Sequence, residues 1–341
     1  MKDLLVVGGG PAGLATALYA ARAGMEVTVW EQRAGVIDKA CGEGLMPGAV
    51  AALADIGVSP PGQELSGIRY VAGTRSVSAP FRTGPGRGVR RTALHAALRE
   101  AVADQGIEVQ QRSAAGLRND VSAVSVDGER FCHVVAADGL HSGIRRELGL
   151  DRGPTPHRRY GLRRHFEMAP SSSLVEVHWA ETTEAYVTPV APDVVGIAML
   201  GSMRVPFDAQ LRCFPALERR LREARPIGPV LGAGPLRQRA RARVSGRVLL
   251  VGDAAGYVDA LTGEGIALAV AQARAAVSAI ADGDPARYER DWHAVTRRYR
   301  LLTASLLGAT RFRPARSALV PAAEWLPGVF GAAVNSLARP A

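Results

Sequence analysis

Asp3-Leu4-Leu5-Val6-Val7-Gly8-Gly9-Gly10-Pro11-Ala12-Gly13 is the stretch from which the fold of this 341-residue chain can be read. The run up to Val7 has the unbroken apolar character of a strand buried on both faces of a parallel sheet. It opens directly into a G-x-G-x-x-G turn, and Leu14, Ala17, Leu18 and Ala21 then recur at helical spacing as far as Gly24, a C-terminal glycine. A second strand, Glu26 to Trp30, finishes at Glu31. The three glycines act separately. Gly8 permits the tight turn, Gly10 lets the backbone approach a pyrophosphate, and Gly13 lets the helix pack close to the sheet. The helix N-terminus at Pro11 and Ala12 offers unpaired N–H groups and a partial positive charge to the phosphates. Glu31, with Gln32 beside it, follows at the offset where a carboxylate accepts from both hydroxyls of a ribose without a 2′-phosphate. This segment predicts a dinucleotide site and leaves FAD and NAD both open.

Two later stretches follow the same order of parts. Phe131 to Ala136 leads into Ala137-Asp138-Gly139-Leu140-His141-Ser142-Gly143-Ile144-Arg145, and Arg247 to Val251 leads into Gly252-Asp253-Ala254-Ala255-Gly256-Tyr257. Leu261-Thr262-Gly263-Glu264-Gly265-Ile266 then starts a long alanine-rich helix. Each time a buried strand ends in a turn of small residues carrying an aspartate, and a helix begins. Arg90-Arg91-Thr92-Ala93-Leu94 opens a further helix, expected to run to Gln105.

In this order, over residues 1–300, the motifs resemble the flavoprotein monooxygenases of the p-hydroxybenzoate hydroxylase fold and the wider family that contains the geranylgeranyl reductases. The resemblance implies one non-covalently bound FAD. It implies Asp138 and Gly139 near the pyrophosphate, and Gly252 and Asp253 with the aspartate on the ribityl chain. Arg91 would be the arginine of the family's R-x-x-[LF] element near the FAD, with Arg90 as its neighbour. A ribityl hydroxyl also needs an acceptor at a strand end, where Asp253 stands. The helix beginning near Gly263, Gly265 and Ile266 would aim its positive end at the flavin pyrimidine edge, where reduced flavin is negative. NADPH or NADH is expected as a visiting reductant, because no second dinucleotide fingerprint is present.

Asp38-Lys39-Ala40-Cys41-Gly42-Glu43-Gly44-Leu45-Met46-Pro47-Gly48 is similar to the C-G-E-G loop of the geranylgeranyl-reductase branch. That similarity implies Cys41 and Gly42 beside the flavin ring, Cys41 facing the pocket, and Glu43 as a polar gate or proton donor. The same branch carries a Y-x-W-x-F-P signature, of which this chain has Tyr186-Val187-Thr188-Pro189, with Thr188 where the tryptophan stands. The first expectation is therefore an NAD(P)H-dependent monooxygenase. It would use O₂ through a flavin C4a-hydroperoxide to hydroxylate or epoxidise an apolar or aromatic small molecule. Tyr186, His165 and His178 are its candidate partners for a substrate hydroxyl. The second expectation is a flavin reductase of C=C bonds in an isoprenoid or polyketide, with Cys41 and Glu43 shaping its conduit. A reading of another class is a non-catalytic flavin-binding electron carrier or regulator. A flavin halogenase is not expected, since no W-x-W-x-I-P segment occurs.

Between the aspartate motifs lie Tyr160–Phe166, Leu174–Trp179, Glu184–Pro189 and Val194–Leu200, β-rich runs separated by turn residues. The expected fold class is α/β, α+β overall: a Rossmann-like FAD-binding lobe with an inserted antiparallel-sheet substrate domain and C-terminal helices. Residues 1–155 and 235–300 form the first lobe, 156–234 the substrate-covering sheet, and 301–341 a helical tail, with the Pro- and Gly-broken stretch from Pro226 to Pro235 returning the chain to the first lobe.

Composition removes other classes. The net charge is +10, but 40 of the 42 basic residues are scattered arginines, without the aromatic-studded basic run of a nucleic-acid footprint. Cys41, Cys132 and Cys213 stand too far apart for a zinc site or a disulfide framework, so no metal and a cytoplasmic location are expected. No transmembrane segment is expected, because no window reaches the ~18 uninterrupted apolar residues of a span.

Overall fold

The computed structural model describes residues 1–153, 158–202 and 204–339. The expected boundary between residues 155 and 156 lies outside the described residues. The strand Lys2–Val7 is the centre of the first sheet. Glu129–Ala136 and then Val248–Leu250 lie to one side of it, and Val27–Glu31 and then Glu108–Gln111 to the other, all parallel. Val6 pairs with both Val29 and Val135, and Val135 with Leu249. Leu4, Leu5 and Val6 are fully buried, which is what an unbroken apolar run becomes when both faces of a parallel sheet are covered. Each such side chain stabilises the fold by about 2 kcal/mol.

The helix Pro11–Arg22 packs on Gly265–Ala281 and on Arg91–Asp104. Its contact with the first of these is made of small side chains, with Ala12, Ala15, Ala269 and Ala273 all buried, so the two helix axes can approach closely. Element bounds differ from the sequence reading by one residue at Val27 and at Asp104, as helix and strand ends usually do.

The second sheet has seven strands in the order Arg225–Ala233, Tyr160–Glu167, Val194–Gly201, Thr183–Ala191, Leu174–Trp179, Gly67–Ala72 and Arg75–Pro80. Its neighbours are antiparallel except where Leu174–Trp179 meets Gly67–Ala72. Two features depart from the sequence expectation. Residues 67–80 belong to this sheet although they precede residue 156. Arg225–Ala233, expected as a return segment, is an edge strand, where Pro226 and Pro229 are tolerated because an edge strand leaves part of its N–H ladder unused. The central strand Thr183–Ala191 is buried at every position up to Val190 because both of its faces are covered. Ala185 and Val187 pack with Phe207, Phe214 and Leu217 on one side, while Tyr186 joins Val177, Ala198 and Leu200 on the other.

The tail forms three helices, Tyr288–Ala309, Arg313–Trp325 and Pro327–Leu337. The last two cover the edge strand Arg75–Pro80, which would otherwise offer an open row of N–H and C=O groups. Phe330 and Val334 pack with Ala79 and Tyr70, Asn335 donates to the Pro80 carbonyl at 3.0 Å, and Glu324 accepts from Ser76 N–H at 3.1 Å. Arg316 anchors the first of the pair by reaching Glu184 at 2.6 Å and the Ala180 carbonyl at 2.6 Å. Among the described residues no single helix is long and apolar enough to cross a membrane.

Candidate active site

Between the two sheets lies a cavity of about 750 Å³. Its polar arm is built by the fingerprint. Gly8 has φ +108°, and a Cβ there would stand 2.4 Å from the Ala137 carbonyl oxygen. A Cβ on Gly13 would stand 1.8 Å from the Gly8 oxygen, so this glycine is required for the helix to start where it does. Gly10 is different. Its φ of −75° suits any residue, and a Cβ there would meet nothing within 4 Å. The space beside Gly10 belongs to the cavity, next to a helix N-terminus with neither a side-chain cap nor an acid in its first turn. That is the design of an anion cradle.

Glu31 borders the same arm with Gln32. It accepts from Gly9 N–H at 2.8 Å and from Arg33 through its N–H and Nε at 3.0 and 2.9 Å. Burial alone would raise its pKa, but the bonds from Arg33 and Gly9 hold it below the ordinary value, so the carboxylate faces the cavity as an acceptor. Asp138 accepts from Ile144 N–H at 3.2 Å through one oxygen, while its other oxygen is buried without a partner. An orphaned buried acceptor on a cavity wall calls for a donor from a ligand. Gly252, at φ +61°, brings the Gly-Asp turn within 2.7 Å of Ala12, measured from a Cβ built on it. Asp253 stands on the cavity wall with Lys39 Nζ 3.9 Å from its carboxylate. Gly139, Gly263, Gly265 and Ile266 complete the wall, the last two opening the uncapped helix Gly265–Ala281.

The Cys41 loop closes the polar arm. Cys41, Gly42, Glu43 and Arg91 all border the cavity, and Glu43 is the hub that holds them. Its backbone has φ +60°, a left-handed conformation that a glutamate adopts only when its surroundings impose it. Its carboxylate accepts from Arg91 N–H at 2.8 Å and from His165 Nε2 at 2.7 Å, with Arg163 Nε 3.8 Å away. Arg163 has only donors, and its Nη1 lies 3.0 Å from His165 Nδ1. That contact takes the lone pair of Nδ1 and places the ring proton on Nε2, where it is donated to Glu43. Arg163 also bonds Asp38, and Thr188 Oγ1 donates to the Gly42 carbonyl at 2.9 Å. Glu43 and His165, read from sequence as separate catalytic candidates, are thus bonded to each other; His165 sits behind the loop, off the cavity lining. Arg163 was not singled out from sequence, while Asp38 entered only as the start of the Cys41 loop and Thr188 only as the residue standing where the related signature has a tryptophan. The signal available for Arg163 was its period-two spacing with His165, which puts both on one face of a strand.

The second arm of the cavity is apolar. Leu65, Ile68, Val175, Val177, Ala198 and Leu200 form its walls, and Val334 and Leu337 of the last helix reach it. Tyr186 lies here, but its hydroxyl donates to the Leu261 carbonyl at 3.2 Å, and burial pushes its pKa well up. His178 faces away, bonded to Glu176 at 3.0 Å and stacked edge-on against Phe214.

The polar arm fits FAD: an open cradle at Gly10 for the pyrophosphate, Glu31 for a ribose, and the unpartnered oxygen of Asp138. The comparisons with known proteins agree. Residues 1–224 match the family model described as FAD binding domain. A menaquinone reductase of Mycolicibacterium smegmatis is 32% identical over 328 residues, covering 85% of this chain and 79% of that protein. A digeranylgeranylglycerophospholipid reductase of Methanothrix thermoacetophila is 26% identical over 85% of this chain and 82% of its own length. Among solved structures, a geranylgeranyl bacteriochlorophyll reductase-like protein from Thermoplasma acidophilum superposes with a TM-score of 0.79 at 22% identity, over 94% of this chain and 90% of that one. A flavin-dependent brominase, Bmp2, gives 0.82 at 15% identity over 99% and 93%.

Proposed function

The chain belongs to the FAD-binding-domain family and is an FAD-dependent oxidoreductase, and from that premise we propose that it reduces carbon–carbon double bonds in an isoprenoid lipid. The observation that carries the proposal is the apolar arm. Its walls are mostly aliphatic, and Tyr186 already donates its hydroxyl to the Leu261 carbonyl, so the polar groups left on the lining, Tyr70 and Tyr257 among them, are few beside the apolar surface. A hydrocarbon chain suits such a surface, since burial of apolar area is the main interaction on offer. The named reductases that resemble this chain over most of its length support the same reading.

Bound and reduced, FAD supplies the two electrons and one of the two hydrogens that a double bond takes up. The chain's residues do the rest. The apolar arm excludes water and aligns the prenyl chain. The second hydrogen arrives as a proton, a role we assign to Cys41, which borders the cavity and whose sulfur accepts from Glu43 N–H at 3.4 Å, leaving the thiol hydrogen uncommitted to that bond. Glu43 acts as a positioning residue, holding the loop through Arg91 and His165 rather than donating a proton itself. NADPH or NADH remains the proposed reductant. Oxygen transfer, the first expectation from sequence, draws its support from likeness of fold alone.

The test is anaerobic. Protein reduced with a stoichiometric amount of dithionite or NAD(P)H is mixed with a geranylgeranyl lipid that carries no quinone ring while the flavin spectrum is followed. Flavin reoxidation without oxygen, with a product heavier by two hydrogens, is the expected result. Reoxidation only after air is admitted, with an oxygen atom in the product, would overturn the proposal in favour of monooxygenation.

A further inference from the structure

We propose that the outer face of the helix pair Arg313–Trp325 and Pro327–Leu337 docks on an anionic lipid surface. Only the purpose of docking, delivery of a lipid substrate, rests on the function proposed above; the contact itself rests on this surface.

Nine large apolar side chains are exposed among the described residues, and three of them, Trp325, Leu326 and Val329, fall together at the junction of the two helices, with Phe312 at the start of the first. Clustering of that kind marks a surface that meets something other than water. Charge is cleared from the same surface. The chain is 22% charged, yet residues 314–338 include only Arg316 and Glu324, Arg316 buried against Glu184 and Glu324 tied to the edge strand through Ser76 N–H and the Arg75 guanidinium. Between Pro314 and Ala338 no exposed residue is charged. The exposed charges that flank it, Arg311, Arg313 and Arg339, are all cationic, Arg313 meeting Glu181.

The two helices meet at 104°. With 13 and 11 residues they reach only about 20 and 16 Å, short of the ~30 Å hydrocarbon core, and their inner faces are packed on the protein. They can therefore lie in an interface but not span it. At the elbow between them Trp325 is 84% exposed, and an indole at such a tip belongs at headgroup depth. The net charge of +10 and the flanking arginines select an anionic surface. A second copy of the chain is the poorer occupant, because an isologous contact would bring two surfaces flanked by arginine together. Position supplies the last argument. Val334 and Leu337, on the inner side of the same pair, line the apolar arm, so one helix separates the outer patch from the cavity.

The chain carries its own reporter. Trp30, Trp179 and Trp292 are buried, which leaves Trp325 to answer to the surface. The FAD-loaded protein is mixed with vesicles of phosphatidylglycerol and phosphatidylcholine, or of phosphatidylcholine alone. Cosedimentation with the anionic vesicles should be about tenfold stronger at low salt, with a blue shift of tryptophan emission and quenching by brominated lipid. The double variant Trp325→Asp/Val329→Asp should lose about tenfold or more of that binding while keeping its flavin colour. Absence of sedimentation, or equal sedimentation of the variant, would overturn the proposal. So would a lipid-free dimer that the variant dissolves, which would make the occupant a second copy. A short, water-soluble prenyl substrate separates this proposal from the last: if no prenyl substrate turns over but vesicle binding persists, the docking face stands and the double-bond reading falls.

Discussion

At Gly10 the backbone is ordinary and the space beyond it is empty of protein, a combination that isolates ligand binding from folding. Gly10→Val should therefore yield a folded protein with a normal circular dichroism spectrum that purifies without colour, since its side chain fills the cradle and nothing else. A yellow variant would show that the pyrophosphate lies elsewhere. The same substitution at Gly8 or Gly13 would not be as clean, because there a Cβ meets backbone. These three glycines were legible from sequence because the turn dictates them locally. The bond between Glu43 and His165 was not legible, since it joins residues 122 positions apart and depends on how the second sheet lies against the first. What the sequence did show was an unusual residue for its place, a glutamate between two glycines in a loop; the left-handed backbone at Glu43 is the physical counterpart of that oddity.

Among the elements, the helix Gly265–Ala281 carries a consequence for pH. Glu264 precedes its first turn, buried, with one carboxylate oxygen unpartnered. Burial raises its pKa from 4.5 to about 7, and Arg298 and Thr262 offset only part of that. Because the folded value lies above the unfolded one, the folded state prefers the protonated acid. Its contribution to stability is greatest below pH 4.5, falls as pH rises toward about 7, and then levels off. Glu264→Gln should thus melt a few degrees higher than the wild type at pH 8, a gain on the order of 1–3 kcal/mol, and the gain should vanish near pH 4.5. Thermal melts across that range check it, and a variant that gains nothing at pH 8 would mean the carboxylate is already satisfied. At this scale four strands of the first sheet, near residues 2–7, 27–31, 129–136 and 248–250, were readable from apolar runs, whereas the polar edge strand Glu108–Gln111 was not. Nor were the strands at 67–80 and 225–233. The first pair joins a sheet whose other strands lie about a hundred residues or more away in sequence, and the last hides its β character behind prolines that only an edge tolerates.

The whole molecule builds the polar arm, the cradle proposed for FAD, from segments far apart in the chain: residues 8–13, 31–43, 137–139 and 252–266. A ligand that touches all four stabilises only the assembled protein, so the melting temperature should climb with free FAD, by about 1.4 kcal/mol of stability for each tenfold excess over Kd. A melting temperature indifferent to FAD would mean that the segments do not meet around it. The architecture of two lobes with an inserted sheet was readable because the three phosphate-and-ribityl motifs bracket it in order. The apolar arm was not, because its walls come from several strands and the final helix, and no local pattern announces that they converge. The first sheet has one more consequence, for the order in which the chain is made. Val248–Leu250 pairs with Glu129–Ala136, and more than a hundred residues, including most of the second sheet, are synthesised between them. On the ribosome, where synthesis runs from the N-terminus, the strand ending at Ala136 emerges long before this neighbour and waits with its edge open from Val134 to Ala136, the start of the strand being covered by Val124–Val126. The inserted sheet is antiparallel over most of its pairings and can close in the meantime. The flavin pocket is therefore a late product of biogenesis, sealed only when the last quarter of the chain has left the exit tunnel. Nascent chains stalled short of residue 250 are the species that a chaperone would have to shield.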